Sequence, residues 1–217
     1  MTLHVLSRRA WLLACAAGAA NLAACGRKAP LAQAIPAGAT VLALGDSLTA
    51  GMGATPDSAF PPVLERLTGW RVVNAGVSGD TSAQALARLP ALLSAHRPSL
   101  VIVSIGGNDF LRRVSAATTR ANVRQICADC TASGAQVLLV AVPQPSLLAA
   151  AGMLADHALY AEVAQELRLP LHAGGWAEVL SDPALRSDAV HANAAGYERF
   201  AHLLAGAART LGLLQSA

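Results

Sequence analysis

The sequence predicts an α/β domain built as a three-layer sandwich, a parallel sheet covered by helices on both faces. Three observations predict it. Short, nearly continuous apolar runs that end in Gly, Asn, Asp or Pro recur along the chain, as strands buried on both faces do. Stretches with helical spacing lie between them, and strand–helix–strand order with right-handed crossovers makes a parallel sheet. The composition suits close packing: of 217 residues, 54% are hydrophobic and only 4% aromatic, enough for one sizeable core built largely from small side chains.

In chain order, residues 1–24 read as an export signal, with Arg8 and Arg9 leading into an apolar, alanine-rich stretch too short for a stable membrane span. Ser7-Arg8-Arg9 admits a twin-arginine route beside general export. "LAAC", residues 22–25, resembles the lipobox of bacterial lipoproteins, whose cysteine becomes the lipidated first residue. Lipid on Cys25 would bring two acyl chains or more and anchor the protein stably to a membrane. The alternative is a plain secretory signal cleaved near Ala24 or Ala34, which would leave a soluble periplasmic or secreted product. Gly26 after the cysteine leaves sorting to the outer membrane open. Residues 25–38, rich in Pro and small side chains, read as a tether or an extended lead-in, and the domain is expected over 39–217.

The expected strands are "TVLALG", "RVVNAG", "LVIVSIGG", "AQVLLVAVP" and a weaker "LPLHAG". Between the first two, a helix opening on Ser58 tolerates Pro61 and Pro62 in its first turn and closes at Gly69. The next, "TSAQALARLPALLSAH", turns Leu86, Leu89, Leu92 and Leu93 toward the sheet, with a kink or break expected at Pro90. Further helices are expected at about 118–133, 154–167 and 194–211.

Charge excludes little but is informative. The formal net charge is +3, and without Arg8 and Arg9 the chain holds 14 basic and 13 acidic residues, a net of +1. Scattered basic residues and few aromatics give no platform for nucleic acid. Cys127 and Cys130 have C-x-x-C spacing, but they fall inside an expected helix without a second ligand pair. A structural disulfide or two ordinary thiols is favoured over a redox or zinc centre.

"GDS", "SGD" and "GGND" each follow an apolar strand, and ligand sites of open α/β sheets gather beyond the carboxyl ends of strands. Ser47 alone reads as a turn residue or helix cap. As a nucleophile it needs a base and an orienting acid, and His191 with Asp188 three residues earlier can supply both. Ester cleavage also needs donors around a developing oxyanion. The backbone N–H groups of Ser47 and Gly79 and the side-chain amide of Asn108 are candidates.

With these residues in place, the chain resembles the SGNH hydrolases of the GDSL esterase and lipase family. "GDSL" carries Ser47, "NAGVSGDT" Gly79, "GGND" Asn108 and "DAVHAN" Asp188 and His191. The pattern is most similar to the periplasmic arylesterase and thioesterase/lysophospholipase branch, over residues 39–211. The resemblance implies a flavodoxin-like sheet and an acyl-enzyme pathway with no metal or organic cofactor. It also implies a small acyl ester or lipid-like substrate. Position 49 is Thr, so the G-x-S-x-G elbow of the larger α/β-hydrolases is absent. The family commonly has Pro where this chain has Ala192, which loosens the expected stiffness of that loop. Residues 141–153, "AVPQPSLLAAAGM", either shape an acyl pocket or pack above the sheet.

Blander roles suit the neighbouring polar residues. Asp46 is expected to stabilise the Ser47 loop, Asp80 to cap the next helix and Asp109 to brace Asn108. His96 marks a helix end, His157 and His172 either border substrate or, as favoured, lie at the surface or behind the site, and Met52 and Phe110 contact substrate or pack. Two other functions stay open: a noncatalytic envelope lipoprotein binding acylated ligands, and an envelope polysaccharide deacetylase using the same chemistry. The sequence exposes no oligomer interface, which leaves a monomer plausible.

Overall fold

The computed structural model describes residues 32–144 and 154–215. The export signal, Cys25 and most of the 141–153 stretch therefore lie outside the described residues. Five parallel strands, β1 (Thr40–Gly45), β2 (Arg71–Gly76), β3 (Leu100–Ser104), β4 (Gln136–Val140) and the two-residue β5 (Leu171–His172), form one sheet in the order β2-β1-β3-β4-β5. This is the flavodoxin-like order, and its direction of winding reverses between β1 and β3. A cleft is expected there, where the loops leaving these two strands part.

The central strands β1, β3 and β4 are almost wholly apolar and buried because both faces are covered, whereas the edge strand β2 exposes Arg71 and Asn74. In β1, Val41 and Ala43 enter one core while Leu42 and Leu44 enter the other, and Leu100 and Ile102 oppose Val101 and Val103 in β3 in the same way. The first core packs against α2 (Phe60–Thr68), α7 (Gly175–Ser181) and α8 (Ala194–Thr210). There Trp176 stacks on Phe200, Phe60 meets both rings edge-on, and the buried Trp176 Nε1 donates to Ser104 Oγ at 3.0 Å. The second core packs against α3 (Ser82–His96), α5 (Ala116–Ala132) and α6 (Leu159–Leu167). Residues 32–38 lie along the domain: Ala32 and Ile35 are buried, Ile35 N–H donates to Leu213 O, and Gln33 and Gln136 exchange two hydrogen bonds.

Several expectations need correction. The second helix opens after Ala59, because Pro56–Ser58 forms a separate 3-10 turn that ends in extended backbone at Ala59. Pro90 neither breaks nor ends α3. It occupies an exposed position of a continuous helix whose other side buries Ala85 and Leu89. That helix is capped by Thr81 and not Asp80, through a capping box with Gln84. The helix expected from 154 begins only at Leu159, since Asp156 is held in a bridge to Pro143. Cys127 and Cys130 are free and fully buried, and burial pushes both thiols up, Cys130 to about 12, which makes them inert packing groups.

Candidate active site

Ser47 opens a single helical turn, α1 (Ser47–Ala50), directly after β1. The turn is pressed against its neighbours. A Cβ on Gly45 would come within 2.4 Å of Ser104 O, and one on Gly76 within 2.2 Å of Ala50 N. Asp46 caps the turn, its Oδ1 accepting from Leu48 N–H at 3.1 Å. Burial pushes the Asp46 carboxyl up to about 6, against the opposing pull of that N–H and of His191. It is a buried brace under the nucleophile loop, as expected.

The base arrives from the other end of the chain. His191 Nε2 stands 2.9 Å from Ser47 Oγ, and its Nδ1 stands 2.7 Å from Asp188 Oδ2. A carboxylate only accepts, so Nδ1 carries the ring proton and Nε2 is free to accept from the serine hydroxyl. The other Asp188 oxygen accepts the N–H groups of Val190 and His191, both at 2.8 Å. Partial desolvation opposes ionisation of Asp188, but these bonds outweigh it and hold the carboxyl below its ordinary value.

The loop is fixed as a small hairpin. Ser187 N–H donates to His191 O at 3.0 Å, and Asn193 N–H to Leu185 O at 2.9 Å. Asn193 then caps α8 by accepting from Gly196 N–H. Ala192 is fully buried and paired across the hairpin with Arg186, so the loop is ordered without proline.

Asn108 lies in the first turn of α4 (Gly107–Leu111), which follows β3. One of its amide hydrogens goes to Asp80 O at 3.0 Å, leaving the second for a ligand. Gly79 precedes that carbonyl in a turn with φ of +86°, a conformation that suits glycine. Of the predicted oxyanion donors, Gly79 is the one that does not line the cleft itself. Asp109 is buried and braces the arrangement, accepting from Ser82 N–H at 2.7 Å and Ser82 Oγ at 2.6 Å.

Two arginines that sequence reasoning missed hold the turns together. Arg88 Nε pairs with Asp80 at 2.7 Å and its Nη2 reaches Gly45 O at 2.9 Å, tying the β1 and β2 ends. Arg112, one turn after Asn108, donates to Gly79 O at 2.8 Å. Of the histidines, His157 stacks on Phe110, whereas His172 is buried beside Phe200 at the end of β5 and does not line the cleft. Met52 is exposed and gives its carbonyl to Tyr197 Oη.

Ser47, Asn108 and His191 open into a cleft of about 240 Å³. Its walls include the apolar side chains of Leu48, Leu111, Val142, Leu154, Leu180 and Val190. Among the described residues no cluster of His, Cys, Asp or Glu is arranged to hold a metal, and no helix is long and apolar enough to cross a membrane. Residues 43–199 match the GDSL-like Lipase/Acylhydrolase family.

The chain belongs to the GDSL-like lipase/acylhydrolase family. This GDSL hydrolase is 40% identical over 159 residues to the thioesterase 1/protease 1/lysophospholipase L1 of Escherichia coli strain K12, covering 71% of this chain and 76% of that protein. The arylesterase of Vibrio mimicus is 35% identical over 120 residues, 53% of this chain and 60% of that protein. The crystal structure of TesA superposes with a TM-score of 0.71 at 31% identity, over 79% of this chain and 99% of that one. The GDSL hydrolase is thus a carboxylic ester hydrolase of the serine type.

Proposed function

We propose that Ser47, His191 and Asp188 act as nucleophile, base and orienting acid in a two-step hydrolysis of small acyl esters. The observation that carries this is the unbroken line of hydrogen bonds from Ser47 Oγ through both nitrogens of His191 to Asp188. His191 takes the Ser47 proton as Oγ attacks the acyl carbonyl, and Asp188 stabilises the imidazolium. The free Asn108 amide hydrogen and the backbone N–H groups of Ser47 and Gly79 receive the oxyanion, each such donor worth roughly 3 kcal/mol. The imidazolium then protonates the departing alcohol, phenol or thiol. Water activated by His191 attacks the acyl-enzyme, and Ser47 is regenerated as the acid leaves.

The cleft, about 240 Å³ and walled by aliphatic side chains, suits a short or medium acyl chain. Aryl esters, thioesters and lysophospholipids are the candidate classes, supported by the names of the Escherichia coli and Vibrio mimicus relatives. Hydrolysis of p-nitrophenyl acetate, butyrate and octanoate by the wild type and by Ser47→Ala tests the assignment. The variant is expected to lose at least ~10³-fold in kcat, and equal turnover above background would refute Ser47 as the nucleophile.

We also propose that the enzyme works in the bacterial envelope, facing the periplasm and held by lipid on Cys25 with the outer membrane favoured. The support is the basic-then-apolar leader ending in "LAAC". Mass spectrometry of the mature N-terminus should find Cys25 acylated, and an unmodified terminus beyond residue 25 would mean release without this anchor.

A further inference from the structure

We infer that Arg186 gives the cleft a preference for esters that carry an oxyanion group, a carboxylate or a phosphate, near the scissile bond. The inference rests on the hydrolase reading above and names the charge of its substrate. Arg186 lines the cleft together with Ser47 and His191, and it is half-buried there. Its backbone is fixed by the same hairpin that positions the imidazole: it pairs with Ala192, and its carbonyl accepts from Asn193 Nδ2 at 3.2 Å. The cation is therefore set on the rigid arm that delivers His191, the group assigned to protonate the leaving group.

Among the described residues this cation has no counter-ion. All 13 acidic residues of the sequence fall within the described residues. The arginines they engage in ion pairs are Arg88, Arg120, Arg124 and Arg199. The acids nearest in sequence are already occupied. Asp188 gives its oxygens to His191 and to two backbone N–H groups, and Asp182 caps the following turn through Ala184 N–H. Among the described residues the Arg186 guanidinium donates no hydrogen bond, and apart from His191 no other basic side chain lines the cleft. A planar five-donor group with no partner among the described residues, half-buried beside aliphatic side chains, is suited to a bidentate bond with carboxylate or phosphate. Its partial burial strengthens such a bond relative to one at open surface.

The oxyanion could sit on the acyl chain or on the leaving group, and two substrate pairs separate these sources. The first compares the p-nitrophenyl monoester of glutaric acid with p-nitrophenyl hexanoate. The second compares 1-hexanoylglycerol 3-phosphate with 1-hexanoylglycerol. For each pair the quantity read is the charged-to-neutral ratio of kcat/KM. Arg186→Gln should lower that ratio about tenfold or more in at least one pair, and Arg186→Lys should restore part of it. A fall confined to the glutarate pair places the anion on the acyl side, and one confined to the glycerol pair places it on the leaving group. A ratio unchanged within about twofold in both pairs, or a wild type that cleaves only the neutral members, overturns the proposal. Calorimetric binding of the phosphate ester to Ser47→Ala, with and without Arg186→Gln, reads the same contrast without turnover. Failure of the nucleophile assignment is thereby kept apart from failure of anion recognition.

Discussion

The side chain of Asp188 is 53% exposed while that of His191 is only 20% exposed, so water bathes the carboxylate that orients a largely shielded ring. A fully buried orienting carboxylate is worth roughly 10⁴-fold in rate, because its loss leaves the wrong ring tautomer with no other partner. Here solvent can take over part of the role. Asp188→Asn is therefore expected to lower kcat by about 10- to 100-fold, far less than Ser47→Ala, and a pH–rate profile of both variants checks the order. The Asp188–His191 pair was legible because D-x-x-H closes within one loop, and the three strand-end motifs supplied its partners. Arg88 and Arg112 were not legible. Each reaches a backbone carbonyl 43 or 33 residues away, a contact that leaves no periodic or motif signature in the sequence.

Proline placement separates what could be foreseen of the elements from what could not. The central strands β1, β3 and β4 announced themselves because two-sided burial demands nearly unbroken apolar runs. The short helices α4 and α7 did not: they follow Gly106 and Gly174, at φ of +122° and +76°, where no Ser, Thr, Asp or Asn side chain advertises a start. In α3 the expectation of a kink was reasonable, since Pro90 cannot donate to the Leu86 carbonyl, yet the capping box and the buried Ala85 and Leu89 hold the helix together. The missing bond still costs stability. Pro90→Ala should raise the urea-unfolding free energy by roughly 2 kcal/mol, less whatever the proline gains by restricting the unfolded chain. The reverse exchange suits the catalytic hairpin. Its cross-loop bonds use the N–H groups of Ser187 and Asn193, which leaves the Ala192 N–H outside the ladder. Ala192→Pro is expected to add up to about 1 kcal/mol with hydrolysis retained. A loss of stability instead would show that the packed site around Ala192 cannot admit the ring.

Across the whole molecule, two buried groups titrate in opposite senses, and their pairing shapes stability against pH. Asp46, under the nucleophile, is pushed up from 3.8 to about 6 by burial. His172, at the end of β5, is pulled down from 6.5 to about 4 by burial, and its Nε2 has no hydrogen-bond partner among the described residues. Between pH 4 and 6 the folded protein keeps a proton on Asp46 that the unfolded chain releases. That term is fully stabilising below 3.8 and is lost as pH rises through 6. Over the same interval the unfolded chain binds a proton on His172 that the folded protein excludes. That term is fully present above 6.5 and is lost as pH falls toward 4. Each contributes a slope of about 1.4 kcal/mol per pH unit, of opposite sign, so the two nearly cancel in the wild type. Single substitutions should unmask them. Asp46→Asn keeps an acceptor for Leu48 N–H but removes the buried charge. It is expected to match the wild type below pH 4, to exceed it by about 3 kcal/mol above pH 6, and to climb steadily in between. His172→Gln should slope the other way, losing stability from pH 4 to 6. Urea unfolding at unit steps from pH 4 to 7 decides it, since parallel curves for all three proteins would mean that neither group is perturbed. The stability that Asp46→Asn gains at neutral pH measures what the fold gives up to keep a charged brace beneath Ser47. A simultaneous fall in its ester hydrolysis would tie that cost to the site.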